Sequence, residues 1–206
     1  MNSLARVALV DERSSASNPG KLSVDPLRFA KHFPAWPSLF AAALVAAIAC
    51  AVLKPVFWAA AAFFLALNVL FWVRTRLRFR HGCVNPAIVV CESPLTLAVY
   101  TDLTTGAGEY PVIKIMHHPR PQGTSVTMGA KFATVALYSG TRTVEHWENF
   151  HPILVECATS DRLTIERTFY SIPDEEWRRF KSGLKDLPQP LKPGLYPVKA
   201  TPAAQS

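Results

Sequence analysis

Two nearly uncharged runs, residues 37–53 and 56–73, are separated only by Lys54 and Pro55, and they constrain this chain more than anything else in it. Each run, of 17 and 18 residues, is just long enough to cross a hydrocarbon core of about 30 Å. As one continuous helix, residues 37–73 would extend roughly 55 Å at a rise of 1.5 Å per residue, far too long for one crossing. A helical hairpin is therefore predicted. Proline lacks a backbone donor and disfavours helix in the residue before it, so Lys54-Pro55 suits the reversal, with the lysine reaching toward headgroups. Small residues recur every four positions, as in Ala42, Ala46 and Cys50, in Ala43, Ala47 and Ala51, and in Ala62 and Ala66; such stripes let two helices approach closely. Trp36, Trp58, Phe71 and Trp72 fall near the ends of the runs, where amphipathic rings favour a membrane interface.

The formal charge of +7 would suit a nucleic-acid ligand only if it were clustered on the folded part. It is not. From residue 83 onward twelve Lys and Arg balance twelve Asp and Glu, and the excess lies in residues 1–33, at Lys54 and at Arg74, Arg76, Arg78 and Arg80. Phosphate-backbone binding is thereby disfavoured. The four arginines form a basic flank able to meet a membrane surface, and with Arg28 and Lys31 before the first run they predict that both termini stay in the cytoplasm.

Beyond the arginines the periodicity becomes that of short strands broken by Pro and Gly. Residues 87–91, 95–100, 110–116, 131–138, 152–158 and 163–170 read as strands, the last two as a hairpin with one wet face. Residues 173–187 read as a helix, with Trp177, Phe180, Leu184 and Leu187 on one stripe and Asp174, Glu175 and Glu176 in its first turn. The prolines at 188, 190, 193 and 197 argue against regular structure beyond it. The predicted organisation is a flexible cytoplasmic tail over residues 1–33, with an interfacial turn near residues 27–33, and a transmembrane hairpin over 34–73. A basic juxtamembrane linker over 74–82, a β-rich domain with one C-terminal helix over 83–187 and a Pro-rich extended tail over 188–206 complete it. The expected fold class is a membrane α-helical hairpin plus a small, mostly-β domain of the SH3, OB or split-barrel kind.

Motif-defined chemistry is missing: the chain carries no nucleophile elbow, P-loop, zinc helix or dinucleotide fingerprint. Cys50, Cys83, Cys91 and Cys157 show no metal-ligand spacing, and His32, His81, His117, His118, His146 and His151 are scattered. Gly106 and Gly108 read as a loop. His146 and His151 could converge with Glu145, Glu148 or Cys157, but aromatic packing explains them equally well. No catalytic residue, metal or cofactor is therefore assigned. The conspicuous polar and aromatic group is Tyr100, Asp102, Tyr110 and Lys114: if the strands near 100 and 114 pair, Tyr100 or Asp102 approaches Lys114 or Tyr110 on one sheet face, as a charge pair or as a ligand-facing patch.

The phrases Gly82-Cys-Val-Asn-Pro-Ala-Ile-Val-Val90, Leu97-Ala-Val-Tyr-Thr-Asp-Leu103, Tyr110-Pro-Val-Ile-Lys-Ile115 and Gly194-Leu-Tyr196 resemble an uncharacterised bacterial family of membrane-linked proteins, over roughly residues 75–197. The resemblance implies a β-rich unit behind a membrane anchor and brings no catalytic residues with it; the expected location is the bacterial inner membrane. The expected role is a membrane-anchored cytoplasmic binding or scaffolding module whose partners are the lipid bilayer and another protein. The alternatives are an enzyme on a membrane-derived substrate and a structural subunit of a membrane complex.

Overall fold

The structure is a computed structural model of the 206-residue chain, and residues 18–105, 109–140 and 146–198 are described. The first 17 residues of the expected N-terminal tail, Gly106, Gly108 and Glu145 lie outside them.

Helix α1 (Pro26–His32) starts on a proline, and the Asp25 side chain accepts the N–H groups of Leu27 and Arg28 at 2.9 and 3.2 Å, satisfying donors that a helix start leaves free. Helix α2 (Ala35–Leu53) ends at Lys54, a short 3-10 turn spans Pro55–Phe57, and helix α3 (Trp58–His81) runs back antiparallel. Both are long and apolar enough to cross a membrane, and only 11% and 6% of their most apolar windows are buried, so neither is the core helix of a soluble domain. Of the small-residue stripes, only Ala47 and Ala51 on α2 are buried, whereas Ala42, Ala46, Cys50, Ala62 and Ala66 are exposed; on α3 the buried small residue is Ala61, outside the expected stripe. Across the same seam the Asn68 amide donates to the Phe40 carbonyl at 3.0 Å, a bond between helices that sets their register.

The apolar run ends at Val73 but the helix does not. Residues 74–82, expected as a linker, continue α3 to His81, with Thr75 and Phe79 buried on the face that enters the domain. At 100° per residue Arg74 and Arg78 fall on one side of the helix and Arg76 and Arg80 on the other. Gly82 ends the helix where a Cβ would lie 2.4 Å from the Arg78 carbonyl and 2.7 Å from Val135, so only glycine lets the chain turn so close to the sheet.

Strands β1 (Cys83–Glu92), β2 (Leu95–Asp102), β3 (Pro111–His117), β4 (Lys131–Ser139), β5 (Asn149–Leu154) and β6 (Gly194–Pro197) form one curled antiparallel half-barrel in the order β5-β4-β1-β2-β3-β6. Inside the curl lie Ala87, Val89, Leu97, Val99, Phe132 and Phe150, all buried, brought to one face by the register. A 3-10 turn, Val155–Cys157, and helices α4 (Arg162–Tyr170) and α5 (Asp174–Lys185) follow β5.

Four further expectations change. Residues 163–170 form α4 rather than a strand: the covered positions are Thr164, Ile165, Thr168 and Phe169, a helical spacing, while Leu163 is 77% exposed. The apparent alternation was broken at Arg167, and the hydroxyl of Thr168 bonds the Thr164 carbonyl one turn back at 2.7 Å. Residues 155–158, read as the end of a strand, are the 3-10 turn and its cap. The proline-rich tail contributes strand β6, because an edge strand needs no donor at Pro197 on its open side. Finally, residues 18–33 are built into the fold: Gly20, Lys21 and Leu22 donate to the carbonyls of Gly82, Arg80 and Phe79 at 3.0, 3.0 and 3.2 Å, capping the end of α3.

Helix α5 lies on the outer face of the sheet, with Trp177 and Phe180 buried and Phe180 stacked on Tyr100 at 5.9 Å. Gly183 permits this approach, since a Cβ there would lie 2.5 Å from Val198.

Candidate functional site at the hairpin loops

The pairing of β2 with β3 sets Tyr100 opposite Ile113, Val99 opposite Lys114 and Asp102 opposite Pro111. Directly opposed residues share a face, so Tyr100 and Lys114 point to opposite sides of the sheet and cannot form the expected pair. Tyr100 is buried under α5 beside Arg179, and burial pushes its phenol up. Lys114 points into the curl. Its ammonium donates to Asn149 Oδ1 at 2.9 Å and to the Phe150 carbonyl at 2.6 Å, and lies 5.5 Å from the Phe150 ring centre. Because β3 and β5 are not neighbours in the sheet, this lysine bridges the open side of the half-barrel, and burial draws its pKa down. Nearby, Thr101 donates to Asn85 Oδ1 at 2.8 Å, the Tyr138 hydroxyl lies 3.2 Å from that oxygen, and burial holds the Tyr138 phenol well above its ordinary range.

Asp102 and Tyr110 do meet, at the sheet end that carries the β2–β3 and β4–β5 connections. Asp102 Oδ1 accepts the N–H of Thr104 at 2.9 Å, its hydroxyl at 2.5 Å and the N–H of Tyr110 at 3.0 Å, which closes the β2–β3 loop on itself. Tyr110, 37% exposed, stacks face to face on His146 with centroids 3.9 Å apart and planes 7° from parallel. His146 is held in turn by a bridge to Thr104 and by a 2.8 Å bond between its Nδ1 and the Trp147 carbonyl, so Nδ1 carries the proton. The Trp147 N–H donates to the Leu103 carbonyl at 2.8 Å, joining the two loops. Beside them Arg179 bonds Glu175 at 3.1 Å and Glu109 at 3.5 Å, and these carboxylates raise its pKa. The result is a braced aromatic face edged by charges of both signs. The sequence does not show His146 or Arg179 at this site, because the stack joins residues 36 apart and the Glu109–Arg179 pair residues 70 apart, and no spacing rule reaches that far.

The other candidates have structural partners. Cys157 is buried beside Arg28 and Glu156, its thiol pushed up to about 12, and does not converge with His146. His151 lies on β5, its backbone carbonyl accepting from Arg78, and burial lowers its pKa. His117 Nδ1 lies 3.1 Å from the Thr96 hydroxyl. His118 Nε2 accepts the Leu154 N–H at 3.3 Å while its Nδ1 donates to the Pro119 carbonyl at 2.8 Å. His32 repeats that arrangement between the Gln122 N–H at 3.0 Å and the Arg28 carbonyl at 2.8 Å. Among the described residues no three His, Cys, Asp or Glu side chains gather as a metal site. Arg74, Arg76 and Arg80 are exposed, whereas Arg78 turns into the domain, its Nε buried without a hydrogen-bond partner.

Two membrane-capable helices leading straight into a curled antiparallel sheet define the class, a helical hairpin carrying a β-rich domain. Within that class the chain belongs to the family described as proteins of unknown function (DUF3239), which matches it over residues 74–187. A crystal structure of a "putative membrane protein" from Corynebacterium diphtheriae is similar, at 17% identity over 56% of this chain and 99% of that one, with a TM-score of 0.48. No curated protein matches.

Proposed function

We propose that the chain is a two-span anchor at the bacterial inner membrane, with both termini cytoplasmic, whose half-barrel is a binding module for a second protein. The distribution of basic residues supports the orientation: Arg28 and Lys31 precede α2, four arginines close α3, and only Lys54 lies at the tip between the helices. The comparison with small SH3 or OB barrels rests on the short strands curled around one core, and such barrels bind through exposed aromatics on loops and sheet faces. The observation that carries the binding reading is the Tyr110–His146 stack: an exposed tyrosine fixed in advance by Asp102, Thr104 and His146 loses little freedom on meeting a partner. Tyrosine and arginine, here Tyr110 and the neighbouring Arg179, are also residue types enriched among interface hot spots.

The test places the photo-crosslinker p-benzoylphenylalanine at position 110 of the full chain in its own host, with position 170, on exposed Tyr170 of α4, as reference. A discrete protein adduct at 110 that is absent at 170, and that Arg179→Ala weakens, is the expected result. Equal or empty patterns at both positions would remove the binding reading of this loop end.

A further inference from the structure

The half-barrel is held to the hairpin at a definite height. Phe29 of α1 packs on Phe71 and Trp72, the last rings of the apolar run, at 6.5 and 6.2 Å. Two residues after α1 ends, α2 begins, and at this junction His32 bonds the Gln122 N–H, Arg28 bonds the Gln122 carbonyl at 2.8 Å and Phe33 sets its ring against His118 at 5.8 Å. The connection between β3 and β4 therefore lies level with the point where α2 enters its apolar run. That connection is tied to the β1–β2 turn: the His118 N–H donates to the Leu95 carbonyl at 3.0 Å, Arg120 donates to the Glu92 carbonyl at 3.1 Å, and the Met128 N–H donates to Glu92 Oε1 at 2.7 Å. The loop end with Tyr110 and His146 is the opposite end of the same strands.

The near end carries an exposed methionine, Met128 at 72%, joined through Glu92 to exposed Arg120, and the neighbouring helices present exposed Lys31 on α1, Arg74 on α3 and Trp36, 60% exposed, at the start of α2. The nearby acid, Glu92, already has one oxygen taken by the Met128 N–H. We propose that this rim of the domain lies in the headgroup layer of the bilayer that holds the hairpin, with Met128 inserted and Arg120 and Lys31 taking anionic phospholipid headgroups. The proposal rests on the hairpin reading above. Its occupant follows from continuity, since a rim level with the mouth of a spanning helix meets lipid before anything else.

The experiment uses the full chain in nanodiscs of phosphatidylglycerol and phosphatidylethanolamine, with p-benzoylphenylalanine placed singly at positions 36, 128 and 170. Lipid-mass adducts at 36 and 128 and none at 170 are expected. An adduct at 36 without one at 128 overturns the rim while leaving the hairpin standing; none at 36 overturns both. Arg120→Gln and Lys31→Gln should each lower the yield at 128 about five-fold in anionic discs and leave it unchanged in phosphatidylcholine discs. Equal yields from both disc types would overturn the choice of anionic headgroups.

Discussion

Two buried ionisable residues near the α1 junction respond to pH in opposite directions. Burial pulls His118 from 6.5 down to about 4, so as pH falls between those values the unfolded chain binds a proton that the folded chain refuses. Stability contributed by neutral His118 is complete above 6.5 and falls by on the order of 3 kcal/mol by pH 4, when the Leu154 N–H loses its acceptor. Glu156 behaves inversely. Burial raises its carboxyl from 4.5 to about 7, and its Oε2 has no hydrogen-bond partner, so the neutral acid is favoured below 4.5 and that advantage is lost as pH rises through 7. Glu156→Gln should therefore raise the melting temperature of the full chain in detergent at pH 8 and leave the loss below pH 6 intact, as followed by tryptophan fluorescence. An unchanged pH profile would show that Glu156 is solvated. The burial of neither residue is legible in the sequence, where His118 is one of six scattered histidines and burial has no local signature.

At the scale of elements, Gly82 and Asn68 fix how the helices meet their neighbours. A methyl at Gly82 would strike the carbonyls of Arg78 and Ala136, the latter at 2.8 Å, as well as Val135, and backbone cannot move aside as a side-chain tip can. Gly82→Ala is expected to cost about 2 kcal/mol or more, read as a lowered urea midpoint in detergent with the far-ultraviolet spectrum retained. Asn68 is different. Its amide bridges to the Phe40 carbonyl across the helices, and Asn68→Leu should weaken the α2–α3 pairing by about 0.6–2 kcal/mol, measurable as a lower force or temperature for hairpin opening. The sequence shows two small-residue stripes on α2 and one on α3, and only the crossing of the helices buries the one through Ala47 and Ala51 and leaves Ala62 and Ala66 exposed.

For the molecule as a whole, the anchor and the half-barrel are joined through an aromatic group rather than a tether. Phe29, 6% exposed, contacts Phe33, Phe71, Trp72 and Phe79, and Phe79 is fully buried beneath the sheet. Phe29→Ala empties the centre of that group and should cost about 3–5 kcal/mol. Its signature is new protease cleavage within residues 18–34 while the sheet domain stays protected. Cleavage spread evenly across the domain would show instead that α1 is part of the global core.

The apolar hairpin, most of the strand positions and the α5 stripe are legible in the sequence, because each depends on periodicity or composition within a dozen neighbouring residues. Tertiary structure decided what the local pattern left ambiguous. It made α4 a helix, because burial fell on Thr164, Ile165, Thr168 and Phe169, and it gave the tail a strand, because β3 had a free edge. It also divided the four conspicuous residues: a strand sends successive side chains to opposite faces, so Tyr100 went under α5 and Lys114 into the curl. Only the folding together of two hairpins put His146 on Tyr110, since a contact between loops is a property of the sheet's register and curl and of no single segment.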